Sequence, residues 1–540
     1  MKTLEKLLAI SMIFVAICST ATSSNEPNST QPQKIDKKTP LINYPPFTIS
    51  KETTYLVEPL REDGYVDYVG VLNKLCREGV TPENNAVVPL LQAVGPDVIF
   101  VSHREQFFHM LGIEPLPEQG DYLIPFEEYL KQINSAKGES ATPEDPTKKD
   151  EQIDQFYKAV DGPWTEDQYP IVAAWLKANQ IPLEKIREAT QRPKFYDPMV
   201  LNGKVPLIAL LRDTANQAYY CRWPLIEQAM FEIQQGKIED AQENILACHR
   251  LARLVGQGPT EVEVIHSYAI EVTACLGDVA LAQSGKLSPS DAAQFQEELR
   301  KLSPLPKMVD KINVAGRFEF LDCIASHARE EIELLKAEST KQKSLLERLF
   351  KPASSKPSDW DTVLRMGNFW YDRLVEAFHK PTYAERMEAC KRLENEFYGI
   401  SAKEKATAKS MLDGKNVRLA GKVKEKANIY IYIHHRGVGL SLNIEELAHV
   451  RTDLSHLALA LGAYRSEHGS YPDRLDEVVP QYIAELPKDR FANADYIYRP
   501  DGKGYILYSI GYNGKDDGGK DQRDDPSCDD VVIRTPKETK

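Results

Sequence analysis

Between residues 165 and 410 the apolar residues recur with the period of an α-helix, and this pattern constrains the fold more than any other feature. The predicted helices Ile238–Val255 and Thr260–Ser284 each end at a glycine, and the next helix follows after a short turn. Helices joined in this way favour an array of α-hairpins or an α-solenoid. We find no fixed sequence period, so no named repeat class is assigned.

Composition shifts on either side of this region divide the chain further. Polar residues with prolines between 136 and 152 predict a linker or an exposed insertion. The predicted units are a mixed, mostly helical region at 41–135, the linker at 136–152, a helical domain at 153–440 with a surface insertion at 337–358, and a C-terminal domain at 441–540.

The C-terminal domain differs in pattern from the helical domain. The apolar pattern predicts one amphipathic helix at Asn443–His468. It also predicts two strands joined by a turn, at Tyr496–Tyr498 and Tyr505–Ile510. We therefore expect a mainly α protein whose C-terminal part is an α+β domain, with a long helix and a small antiparallel sheet.

The N-terminus has the pattern of a secretory signal peptide over residues 1–21. Lys2 and Lys6 precede the short apolar run Leu7–Ile17, and small residues follow it. A permanent transmembrane helix is the alternative, but the run is short for a bilayer of ~30 Å. Lipidation at Cys18 is a further alternative, which Ile17 disfavours. We expect export to the periplasm or cell envelope, with a flexible leader at 22–40 and no permanent membrane span after cleavage.

Charge and motifs narrow the classes of function. A net charge of −13 and a pI of about 5.5 exclude a general nucleic-acid binder, because phosphate contacts need a basic surface. Walker A, GxGxxG, HExxH and GxSxG motifs are all absent from the sequence. Cys248 and His249 are adjacent on a predicted helix, so their side chains point apart and make a poor nucleophile pair. No catalytic residue is assigned, and enzymatic activity stays open, with a non-enzymatic role favoured.

Residues 456–532 resemble the C-terminal globular domain of G-type pseudopilins of the type II secretion system. The rest of the chain resembles, more vaguely, uncharacterised exported proteins of planctomycete-type bacteria. The matching segments are Leu459–Arg465, His468–Leu475, Leu486–Asp489, Tyr505–Gly511, Asn513–Gly519 and Asp529–Asp530. The resemblance implies a pilin-like fold, with one helix packed on a small sheet. The apolar N-terminal helix that a pseudopilin needs for filament assembly is missing from the position the family requires.

The resemblance also implies a calcium site in the loop after the last strands. The candidate ligands are Asn513, Asp516, Asp517, Asp529 and Asp530. Calcium takes 6–8 oxygen ligands, which loops rich in Gly and Asp can supply. Residues 513–530 hold seven Asp against three Lys or Arg, so a cation would relieve their repulsion. The alternatives are a solvated acidic tail, or a turn held by salt bridges to Lys515, Lys520 and Arg523.

These features together predict an exported, non-enzymatic interaction or scaffold protein with a tail that binds calcium. Its partner would be a protein or another component of the envelope. Two alternatives stay open: a hydrolase of envelope polymers with an unrecognised site, and a component of a type II secretion-like apparatus.

Overall fold

The computed structural model describes most of the chain after residue 44. The described residues are 45–136, 146–200, 206–210, 213–340, 359–412, 423–434 and 438–536. The predicted signal peptide and leader lie outside them, as does most of the predicted insertion at 337–358.

The described chain is mainly helical with a small antiparallel sheet near its C-terminal end, which confirms the predicted fold class at this level. The helices are α1 (Tyr68–Arg77), α2 (Val87–Val94), α3 (Val101–Leu111), α4 (Phe126–Ala136), α5 (Pro146–Ala159), α6 (Pro170–Ala178), α7 (Gln180–Thr190), α8 (Asp213–Gln235), α9 (Ile238–Val255), α10 (Glu261–Gln283), α11 (Pro289–Arg300), α12 (Met308–Lys311), α13 (Arg317–Thr340), α14 (Trp360–Phe378), α15 (Tyr383–Tyr398), α16 (Ala402–Leu412), α17 (Val423–His434) and α18 (Val438–His468). The strands are β1 (Lys488–Asp489), β2 (Ala494–Asp495), β3 (Ile497–Asp501), β4 (Gly504–Ser509) and β5 (Val531–Thr535).

The centre of the molecule is a group of four helices, α8, α9, α10 and α18. The first three follow one another through the short connections 236–237 and 256–260, and each packs against the other two. Helix α18 then lies along α10, although 154 residues, 284–437, separate the two helices. The long helix assigned to the C-terminal domain is therefore part of the helical core.

Helix α10 is the most apolar element of this core. Among the described residues it is the one helix long and apolar enough to cross a membrane, and 89% of its most apolar 18-residue window is buried inside the protein. That degree of burial is also typical of the core helix of a soluble protein. Its N-terminus has a reciprocal cap, in which the Glu263 carboxylate accepts hydrogen bonds from the backbone N–H and the hydroxyl of Thr260.

Several predicted boundaries were wrong. Residues 146–152 of the predicted linker are the first turns of α5. The helical pattern at Asp361–Tyr398 is divided into α14 and α15, because Pro381 cannot continue a helix. The sequence also has a helical pattern over Lys307–Leu335, and a π-helical turn, Ile312–Gly316, interrupts it and separates α12 from α13.

Helix α18 was predicted to be amphipathic, and this was wrong for its second half. Every residue from Leu457 to Ala463 is buried, so the helix has no solvent-facing side there. The reason is its position, since it contacts α10 and α11 as well as strands β4 and β5. Charged residues along its first half, such as Glu446, are also buried and pair inside the protein.

The C-terminal sheet has the order β3–β4–β5 with antiparallel pairing throughout. Leu507, in the middle of β4, pairs with Tyr498 on one side and with Ile533 on the other. Strand β5 was not predicted, because it has only five residues and directly follows a long acidic stretch. Its pairing brings the two ends of the acidic loop, residues 510–530, together at one edge of the sheet.

The close approach of α18 to α10 gives a test of this packing. A Cβ atom added at Gly462 would lie 2.7 Å from the backbone oxygen of Ala282. We expect Gly462→Ala to lower the free energy of unfolding by about 1–3 kcal/mol through overpacking, despite the ~1 kcal/mol that Ala gains in helix propensity. Urea denaturation followed by circular dichroism measures the change.

The control for this substitution is Gly439→Ala on the same helix. A Cβ atom there would make an ordinary contact, 3.5 Å from the Met387 sulfur, so no loss of stability is expected. A Gly462→Ala variant as stable as the Gly439→Ala variant would contradict the close packing of α18 on α10.

Candidate metal site

The acidic loop contains two glycines in left-handed backbone that contact its C-terminal end. Gly511 follows strand β4 with φ +69°, and a Cβ atom there would lie 2.3 Å from the carbonyl oxygen of Asp529. Gly519 has φ +80° and donates its N–H to Asp530 Oδ2 at 2.8 Å. Left-handed backbone of this kind favours glycine because it has no Cβ. The glycines therefore bring Asp529 and Asp530 against the beginning of the loop.

Three of the predicted ligands come together in this loop. One carboxylate oxygen from each of Asp517, Asp529 and Asp530 lies within 4.8 Å of the other two. In the part of the chain that the structure describes, it is the one such group of three or more His, Cys, Asp or Glu side chains. Asp529 and Asp530 are 9% and 2% exposed, so the cluster is bounded by protein on one side.

Backbone amides hold the three carboxylates in place. Asp529 Oδ2 accepts the Asn513 N–H at 2.9 Å, and Asp517 Oδ2 accepts the Asp529 N–H at 3.3 Å. Asp530 Oδ1 accepts the Asp517 N–H at 3.4 Å. Asp529 Oδ1, in contrast, is buried and has no hydrogen-bond partner among the described residues. A buried carboxylate oxygen without a partner is costly, and a bound cation would satisfy it.

The pKa values of the carboxyl groups in the cluster also favour a bound cation. Burial, together with the nearby charge of Asp517, raises the pKa of Asp529 to about 6, although the backbone N–H groups of Asn513 and Tyr512 act in the opposite direction. Burial also raises the pKa of Asp530. Near neutral pH Asp529 is therefore ionised at a cost that a positive charge would remove.

The other two predicted ligands have different contacts. The amide nitrogen of Asn513 donates to Asp517 Oδ2 at 3.0 Å, and its oxygen accepts the Lys515 N–H at 2.6 Å. Asp516 Oδ1 accepts the Tyr508 hydroxyl at 2.9 Å. Asn513 thus orients the cluster, whereas Asp516 lies outside the group of three.

Of the three basic residues in the alternative interpretation, Arg523 forms an ion pair in the structure, with Asp521. Two further acids of the loop pair with arginines of the sheet: Asp516 with Arg499 of β3, and Asp524 with Arg534 of β5. The cluster of Asp517, Asp529 and Asp530 is therefore a region of negative charge beside acids that already have basic partners. Hard oxygen donors of this type suit calcium or magnesium rather than a thiophilic metal.

Sequence reasoning missed a second polar cluster, which lies in the helical core. His249 of α9 is fully buried between two carboxylates of α10: its Nδ1 lies 2.8 Å from Glu271 and its Nε2 lies 3.1 Å from Asp278. Arg253, one turn further along α9, also contacts Glu271. We call these four side chains the buried ionic network.

Helix α18 joins the buried ionic network through two hydroxyl groups. Thr452 donates to Glu271 at 3.0 Å, and Ser455 donates to Asp278 at 2.9 Å. The charges of Glu271 and Asp278 outweigh burial, which alone would lower the pKa of His249, and raise it to about 9. The pKa of Glu271 is held well below its usual value despite burial, because Arg253 and His249 favour its charged form.

The two acids of the buried ionic network could have been recognised from the sequence. Glu271 and Asp278 are seven residues apart in an otherwise apolar helical run, which places two acids on one face of a buried helix. The prediction that Cys248 and His249 point apart is confirmed, since the Cys248 thiol faces the Ile270 carbonyl instead. Nothing local indicated Thr452 or Ser455 as partners.

No protein-family model, curated protein or solved structure matches this chain. The chemistry of the two clusters is therefore interpreted from their own geometry. The loop cluster has a buried unpaired oxygen beside solvent, whereas the ionic network lies wholly inside the core.

The raised pKa of His249 predicts a pH dependence of stability. Because the folded pKa of about 9 exceeds the usual 6.5, the contribution of its charge is fully present below pH 6.5. It is lost as the pH rises through 9. At about 1.4 kcal/mol per pKa unit the difference is a few kcal/mol. We expect thermal melts between pH 6 and 10 to show this loss in the wild type and not in His249→Gln.

The control is His109→Gln, at an exposed position on α3. This variant should keep the wild-type pH profile. Identical pH profiles for His249→Gln and the wild type would show that the buried charge does not stabilise the core.

Proposed function

We propose that this chain is an exported cell-envelope protein that acts as a non-enzymatic scaffold, with a pilin-like C-terminal domain that binds calcium. The observation that carries the proposal is the cluster of Asp517, Asp529 and Asp530, in which Asp529 Oδ1 is buried without a partner. Calcium would supply the positive charge and the coordination that this oxygen lacks. The loop would then hold β4 and β5 in a fixed arrangement.

The residues present fit calcium better than magnesium. The loop offers carboxylates on flexible, glycine-rich backbone, and Asp517 and the neighbouring backbone are partly exposed, so water can complete the shell. Calcium accepts such irregular sets of 6–8 oxygens, whereas magnesium requires near-ideal octahedral geometry. Calcium sites of millimolar affinity occur in extracellular modules, which matches the proposed export.

The helical core supports a scaffold. Several of its charged groups pair with one another in the interior, as in the buried ionic network and in the pair of Arg386 on α15 with Glu446 on α18. The hydrogen bonds from α18 to the buried ionic network connect helices that are distant in sequence and so make the array rigid. A rigid array presents a constant surface to a partner, which is what a scaffold requires.

Calcium binding by the purified mature protein is the first test. Calorimetry should detect a site, and thermal melts should shift upward with calcium relative to chelator. A site filled at a hundredfold excess over Kd stabilises by ~2.7 kcal/mol. Asp529→Asn should lose most of this shift, because it removes the charge next to the unpaired oxygen.

Two controls sharpen this test. Asp525→Asn changes an exposed acid of the same loop and should keep the wild-type shift. Because the pKa of Asp529 is about 6, calcium affinity should fall as the pH is lowered through 6, when protons compete for the carboxylate. A calcium response that persists in Asp529→Asn, or no response at millimolar calcium, would refute the proposed site.

Export is tested separately by the mass of the mature chain. Expressed with its N-terminus in a bacterial host, the protein should be recovered outside the cytoplasm and lack residues 1–21. Ile13→Arg places a charge in the apolar run and should abolish cleavage. Thr30→Arg, in the leader, should have no effect. An intact N-terminus on cytoplasmic protein would contradict the proposed location.

A further inference from the structure

The side chain of Arg317 lies inside the helical domain, far along the chain from the acidic loop. It is the first residue of α13, directly after the π-helical turn, and it is 1% exposed. A guanidinium group keeps its charge at any accessible pH, so its burial requires anionic or polar partners. Turns of π-helix inside α-helices are frequent at functional sites.

The partners of Arg317 leave one edge of the guanidinium incomplete. Nη1 donates to the amide oxygen of Asn368 at 3.2 Å, and Nη2 donates to Asn313 at 3.1 Å and to Asp372 Oδ1 at 2.7 Å. Nε is buried and has no hydrogen-bond partner among the described residues. Nε and Nη2 form the edge that matches the two oxygens of a carboxylate.

The one carboxylate that pairs with Arg317 in the described structure is held loosely. Asp372 has a side chain that is 69% exposed, while the arginine is buried. Asp372 contacts the guanidinium group of Arg317 through a single carboxylate oxygen. An incoming carboxylate could therefore replace Asp372, whose own carboxylate would return to water, and engage both Nε and Nη2.

Tyrosine rings lie over the guanidinium. The Tyr371 ring is 5.4 Å from the Arg317 guanidinium carbon, and the Tyr55 ring is 4.5 Å from it. Aromatic faces stabilise a cation and exclude water from it. Tyr371 is fixed, because its hydroxyl donates to the Gly316 carbonyl at 2.7 Å.

Tyr55, in contrast, is held in strained backbone. Its φ is +62°, and the Leu56 N–H donates to the Thr54 carbonyl at 2.6 Å, which makes Tyr55 the centre of a three-residue turn with left-handed φ. Such turns are rare and strained for a residue other than glycine. Tyr55 is 38% exposed, so its ring can rotate away from the guanidinium group without a change in the backbone.

Residues 48–56, which carry Tyr55, are fastened to the helices around Arg317, and we call them the N-terminal strap. Asn368 Nδ2 donates to the backbone oxygens of Glu52 and Thr53 at 3.0 and 2.9 Å. The Tyr68 hydroxyl donates to the Thr54 carbonyl at 2.7 Å. The strap therefore stays in place around Tyr55, and the tyrosine alone is positioned to move.

We propose that Arg317 binds a carboxylate group of a ligand through Nε and Nη2, with Tyr55 as the lid of the site and Asp372 as the internal carboxylate that the ligand displaces. The ligand class is a small molecule or chain end with a free carboxylate. No bond is made or broken in this binding.

The test compares an acetylated Ala-Ala dipeptide that has a free carboxyl end with the same dipeptide as its amide, by calorimetry on the full-length mature protein. The two probes differ only in the carboxylate. Asp372→Asn removes the competing acid and should tighten binding of the acid form roughly tenfold or more, the gain expected from a charge-assisted hydrogen bond. Tyr55→Gly relieves the strain, opens the lid and should also tighten it. The amide should not bind any variant.

Two further variants separate this site from general charge effects. Glu376→Gln removes another exposed acid from α14, one that pairs with Lys380, and should leave the affinity unchanged. Arg317→Lys added to Asp372→Asn should cancel the gain, since an ammonium cannot form the bidentate contact. If that double variant fails to fold, the acid and amide comparison on Asp372→Asn decides alone. Equal affinity of Asp372→Asn for acid and amide, or no binding of either, would overturn the proposal.

Discussion

The two acids buried completely in the middle of the helical core, Glu271 and Asp278, impose the constraint on which the arrangement of the core depends. Removing a carboxylate from water costs several kcal/mol unless cations and hydrogen bonds replace the lost hydration. Helix α9 supplies His249 for this purpose, and α18 supplies hydroxyl donors. Sliding α18 by one turn would keep apolar contact but separate these donors from the acids. The polar contacts therefore fix a register that apolar packing alone would leave free.

The origin of each contact explains how much of the fold could be predicted. Helix α9 was predicted at the observed bounds, because Gly256 and the apolar period are local signals. The position of α18 could not be predicted in the same way, since Ser455 meets Asp278 across 177 residues of chain. The apolar residues of α18 were recognised in the sequence, but an apolar face does not specify which helix it packs against. Strand β5 was missed because five residues carry little pattern of their own.

For the candidate metal site too, composition predicted one part, and the other part depends on the folded structure. The excess of Asp in the loop is a property of the sequence, and together with the resemblance to pseudopilins it led to the prediction of a cation site. Which acids gather depends on the pairing of β4 with β5 and on left-handed glycines such as Gly511. Asp516 was assigned with the others, but the Tyr508 hydroxyl holds it outside the cluster. Its neighbour Asp517 is within the cluster, because successive residues of a loop can face different sides.

Buried ionisable groups without hydrogen-bond partners differ in whether they can become neutral or need a counter-charge. This difference distinguishes groups with a structural role from groups that could bind a ligand. Glu227 on α8 is completely buried and neither of its carboxylate oxygens has a partner among the described residues, but burial raises its pKa well above the usual value. A proton therefore neutralises it, and it needs no ligand. Arg317 cannot lose its charge, and Asp529, with a pKa of about 6, is ionised at neutral pH. Both also adjoin exposed chain, through Asp372 and through the acidic loop. An ion that stays charged at neutral pH requires a counter-charge. Asp372 supplies one to Arg317 from an exposed position, where the proposed ligand carboxylate would replace it, and the proposed calcium ion would supply one to Asp529.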